Sequence, residues 1–104
     1  MMKPINEQEL KQLCDEAVRQ APFIKQNHDP IQGYKVAVWS TLFMLLHHAM
    51  YDDAGFVSRG NQTTPEEIEN LYIDNIKKML DASEMPRSTR MMILQDFSRR
   101  AGLE

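Results

Sequence analysis

The stretch that decides the fold runs from Ile31 to Asp53 and reads IQGYKVAVWSTLFMLLHHAMYDD. From Val36 to Tyr51 it carries no formal charge, and between Val36 and Leu46 only Ser40 and Thr41 are polar. Asp29-Pro30 precedes it with an acidic N-cap and a proline at the first helical position, where the missing N–H costs nothing. At 100° per residue, Ile31, Val38, Trp39, Leu42, Phe43, Leu45, Leu46, Ala49 and Met50 spread over one broad arc, with Ala37 and Met44 on the far side. At ~1.5 Å per residue the uncharged run falls short of the ~30 Å hydrocarbon thickness, so a membrane span is not expected. A helix apolar over most of its circumference must be enclosed by other helices, from the same chain or from a second copy.

Three amphipathic partners flank this helix. Upstream, Asn6 and Glu9 have the spacing of a capping box, and Leu10, Leu13, Cys14, Ala17, Val18 and Ala21 repeat on a helical period until Pro22 stops the run. Downstream, Thr64-Pro65-Glu66-Glu67 joins a cap, a proline at N1 and a capping box, and opens a stripe of Ile68, Leu71, Tyr72, Ile76, Met79 and Leu80. Pro86 starts the last helix, whose stripe is Ile93, Leu94, Phe97 and Ala101, with Gly102 as its stop. No run alternates as a strand would. The sequence predicts an all-α, four-helix bundle-like domain over residues 1–104, with helices at about 7–20, 30–52, 65–80 and 86–101. The length of the central apolar helix makes a homodimer the expected assembly, with Trp39, Phe43 and Leu46 as its core or self-association seam.

The chain has 104 residues, 42% apolar and 26% charged, which describes one domain and leaves no room for a second. Its net charge of −3 disfavours a nucleic-acid binder held by phosphate contacts. One cysteine makes neither an intrachain disulfide nor a cysteine-based zinc site. The N-terminus MMKPINEQEL carries no apolar signal segment, so a cytoplasmic location is expected. Leu103-Glu104 reads as the remnant of a fused tag and is given no functional weight.

Candidate chemistry is sparse. His48 and Asp52 stand i, i+4 on one helix face and suggest half of a metal site, which makes a metal-dependent helical enzyme one alternative. His28 and Asp29 lie at the opposite end of that helix, and neither His-Glu-x-x-His nor paired Glu-x-x-His spacing is present, so no metal or cofactor is expected. Cys14 lies on an apolar stripe with no base beside it, as an inert thiol does. Residues 86–104 carry four arginines against Asp96 and Glu104, whereas residues 1–85 carry 8 basic and 13 acidic residues. That asymmetry invites a DNA-binding alternative, but the turn before Pro86 lacks a glycine and the arginines do not share a face.

Surplus apolar surface carries the preferred reading. The chain has eight methionines, and Met91 and Met92 cannot both join the stripe of Ile93. With Phe56 and Val57 on the 54–63 loop, and Met85 near the same edge, they exceed what one small core needs. In size and all-helical pattern the chain resembles small bacterial or phage regulators that sequester a larger protein, such as antiactivators of quorum-sensing transcription factors. The resemblance implies a non-enzymatic regulatory protein that occludes another protein, for example a transcription regulator, with Met91, Met92, Arg87, Phe56 and Val57 as the contact face.

Overall fold

The computed structural model describes residues 2–24, 30–51 and 64–103. They form α1 (Glu7–Ile24), α2 (Pro30–Met50), α3 (Pro65–Asp81) and α4 (Arg87–Arg100), with no strand among them. The fold is all-α. No helix of the described residues is long and apolar enough to cross a membrane.

Local chemistry accounts for the helix ends. Asn6 Oδ1 accepts the Glu9 backbone N–H at 2.8 Å. The Glu9 carboxylate takes the Asn6 side-chain amide, where the capping-box spacing predicts the backbone N–H. Pro22 does not stop α1, which continues to Ile24. A proline in the last turn withdraws one donor only, the one that would bond Val18, so the helix closes around it. At α3, the Thr64 hydroxyl accepts from Glu67 N at 3.2 Å, as the sequence predicts. Pro86 stands outside α4 as its N-cap residue and offers no side-chain bond.

α4 ends in a way the sequence outlined only in part. Gly102 takes φ +71°, a left-handed conformation that favours glycine, and its N–H bonds Arg99 O at 3.2 Å. Leu103 N reaches back to Ser98 O at 2.8 Å. These two bonds form a Schellman motif, and its usual apolar contact is present: Leu103 packs against the core. Leu103, given no functional weight in the sequence reading, thus has a structural role: its backbone closes a helix and its side chain is half-buried.

α2 is the floor of the molecule. α1 packs along one side of it, α3 along the other, and α4 lies against α1. Val38, Leu42, Leu46 and Met50 are fully buried between them, with Leu10, Cys14, Ala17, Ala21, Ile76, Leu80 and Phe97. Ala37, expected on the far side of α2, is buried too, because α2 is covered from both flanks. Thr41 is the one buried polar residue of this core among the described residues, and its hydroxyl donates to Ala37 O at 2.6 Å. Met85, counted in sequence as surplus surface, is buried in the turn between α3 and α4. The N-terminal segment ties down the far end of α2: Lys3 N donates to Met50 O, Met2 bridges Tyr51, and Ile5 joins the core.

Candidate functional site

α4 packs on α1, and α2 joins α1 to α3, but α3 and α4 make no extensive contact with each other. The α3–α4 seam is thus less closely packed than the α1–α4 one. A cleft of about 280 Å³ occupies it, floored by Trp39 and walled by Ile73 and Ile76 of α3 and by Met91 and Leu94 of α4. Leu103 closes it, and Glu69, Lys77, Gln95 and Ser98 stand at its rim. A second cleft of about 410 Å³ shares Lys77, Met91 and Leu94 with it and is lined further by Leu80, Asp81, Arg87 and Arg90. The seam is apolar at the end nearer Leu103 and cationic at the start of α4.

Two buried donors face this seam. Trp39 is 6% exposed, and its Nε1 has no hydrogen-bond partner among the described residues. Glu69 stands near it, and burial raises that carboxyl above its ordinary 4.5, opposed chiefly by the charge of Lys35. The Arg90 side chain is 12% exposed; its Nη1 is 2.5 Å from Asp81 Oδ1. Its buried Nε has no partner.

The expected contact residues divide across α4. Met91 is 45% and Met92 59% exposed, and with Phe23 at 87% they are the exposed large apolar side chains among the described residues. Successive helical residues point 100° apart, so Met91 faces α3 while Met92 faces α1. Met92 borders a separate cleft of about 480 Å³ with Lys11, Ile93, Gln95, Asp96 and Arg99. Arg87 is exposed and makes no ion pair among the described residues. Phe56 and Val57 lie outside the described residues.

The expected seam residues on α2 are largely used within the chain. Leu46 is fully buried, and the Trp39 ring meets Phe97 edge-on at 5.4 Å. Phe43 is half-buried between Tyr72, at 5.6 Å, and His47, at 6.0 Å. Trp39 and Leu46 leave almost no surface for a second copy.

The two rival chemistries find little here. Asp52 lies outside the described residues, and among the described ones no group of three His, Cys, Asp or Glu side chains is placed to hold a metal. Arg90 pairs with Asp81, Arg99 with Asp96, and Arg100 with both Asp96 and Asp15. Three of the four arginines of α4 are thus engaged by carboxylates of their own chain, which weakens their claim on phosphates. Burial pushes the Cys14 thiol up to about 12, leaving almost no thiolate at neutral pH.

The sequence missed three members of the seam. Trp39 was assigned to the core without its second role as a cleft floor, Leu103 was set aside, and Arg90 was only one of the four C-terminal arginines behind the DNA-binding alternative. Arg90 carried a signal, since an arginine beside an apolar stripe must find a buried acceptor or line a cavity. Comparison with protein-family models, with curated proteins and with solved structures finds no match to this chain.

Proposed function

We propose that this chain is a small non-enzymatic regulatory protein of the cytoplasm that binds another protein through the exposed face of α4. The observation that carries the reading is the pair Met91 and Met92, adjacent and roughly half exposed on one helix. Methionine is flexible and polarizable, and it is favoured on surfaces that adapt to a partner. Arg87 adds an unengaged cation one turn away, suited to a polar rim around an apolar contact. The action would be occlusion: an apolar helix face covers the surface its target, for example a transcription regulator, needs for its own dimer or for DNA. A homodimer belongs to the same reading, with its seam moved off Trp39 and Leu46 and onto exposed residues.

Capture from lysate with the tagged chain, beside a Met91→Asp/Met92→Asp variant, tests the proposal. A protein retained by the parent chain and lost by the variant is expected, while circular dichroism and melting stay nearly unchanged. If every captured species survives the substitution, α4 is not the contact face and the reading fails.

A further inference from the structure

The open seam between α3 and α4 joins an apolar hollow to a cationic one, and that pairing has a chemical meaning of its own. Trp39 floors the apolar end between Ile73 and Leu94. Lys77, Arg87 and Arg90 gather at the other end, where Asp81 is the only carboxylate and already pairs with Arg90. Arg90 lines the hollow with its Nη1 held by Asp81, so Lys77 and Arg87, both exposed, are the cations open to a bound acid. A carboxylate or phosphate beside cations gains charge-assisted hydrogen bonds, about twice as strong as neutral ones. The two clefts adjoin at Lys77, Met91 and Leu94, and the flexible Met91 side chain, 45% exposed, is what an elongated molecule spanning both would cross. Along α4 the stretch from Arg87 to Ser98 covers roughly 16 Å at 1.5 Å per residue. Small-molecule sites have this build, mostly apolar walls with a few polar groups that fix orientation.

We infer that the α3–α4 seam is a binding site for a single-chain anionic amphiphile, with its hydrocarbon tail over Trp39 and its acidic head among Lys77, Arg87 and Arg90. The site lies in the interior of the seam and does not depend on protein binding by the outer face of α4, although Met91 and Arg87 border both. The head is a carboxylate or a phosphate monoester, since both accept from a guanidinium fork.

Trp39 is the only tryptophan of the chain and reports on its own cleft. Tryptophan emission and calorimetry of the full chain, with dodecanoate, dodecyl phosphate, dodecanol and butanoate below any micelle concentration, form the test. Dodecanoate or dodecyl phosphate is expected to give a saturable one-to-one response, the stronger of the two identifying the head. Dodecanol should bind at least tenfold more weakly, and butanoate should give no response. The Lys77→Gln/Arg87→Gln variant, altered only at exposed positions, should lose about tenfold in affinity for the anion and keep its weak affinity for the alcohol. Absence of a saturable response to both anions overturns the site. Equal affinity for alcohol and anion, or an unchanged anion affinity in the variant, overturns the assignment of the head. Met92→Gln, on the other flank of α4, serves as the control and should bind as the parent chain does.

Discussion

α4 borders two seams of opposite character. Against α1 it is packed through the core: Cys14 and Ala17 of α1 are fully buried in the core shared with Phe97 and Ala101, Arg100 reaches across to Asp15 at 2.5 Å, and a cleft remains only outside that contact, between Lys11 and Met92. Against α3 it is open, with Asp81–Arg90 as an ion pair between the two ends and a cleft where side chains would otherwise meet. Small residues explain the closed side, because Cys14, Ala17 and Ala101 let the backbones approach. On the open side Ile73, Ile76, Met91 and Leu94 hold the helices apart around Trp39. If the α3–α4 seam is the binding site inferred above, stability and binding fall on two sides of one helix.

The largest test of that division compares Phe97 with Met91. Phe97 is fully buried and braces Trp39 edge-on, so Phe97→Ala should cost about 3–5 kcal/mol in chemical denaturation. Met91→Gln, at a half-exposed rim, should stay within ~0.5 kcal/mol. Similar losses at both positions would mean that the open seam is as tightly packed as the closed one.

A smaller effect concerns Cys14, within the closed side. Burial is the main reason its pKa rises from 9.0 to about 12, with Asp15 and Asp96 adding to the shift and Arg100 opposing it. A thiol whose pKa is raised by folding contributes stability that is complete below the unfolded value and is lost as pH climbs toward the folded one. Each pH unit above 9 therefore removes up to ~1.4 kcal/mol. Cys14→Ala should lack this alkaline loss, so the gap between parent and variant should narrow by about 2 kcal/mol from pH 8.5 to 10.5. A gap that holds constant would show the thiol to be hydrated.

The smallest expected effect is the ion pair that ties the closed side at its surface. Arg100 and Asp15 are each more than 40% exposed, so solvent screens their attraction. A double-mutant cycle of Arg100→Gln with Asp15→Asn should give a coupling below about 1 kcal/mol that shrinks with salt. A larger, salt-insensitive coupling would make Arg100 a fastener of the closed seam and sharpen the contrast with Asp81–Arg90.

Much of the fold was legible in the sequence because it is written in local chemistry. Asn6, Thr64-Pro65 and Gly102 mark helix ends through caps and backbone conformation that depend only on near neighbours. The α1 stripe of Leu10, Cys14, Ala17 and Ala21 follows from one helical period. Pro22 misled because its cost depends on how many turns remain after it, and only the folded helix tells that. Met85 and Leu103 misled for a related reason, since a residue beyond a helix end has no periodicity to say which way it points.

By itself the sequence determined an all-helical chain with a continuous apolar helix at its centre and methionines left over on the last one. It could do so because helical period and capping act within a few residues. Only the tertiary structure decided which helices pair and which stand apart. That choice depends on side-chain bulk across residues distant in sequence, Ala17 against Phe97 on one side and Ile73 against Leu94 on the other. The open seam, with Trp39 beneath it and Arg90 at its end, exists only through that difference.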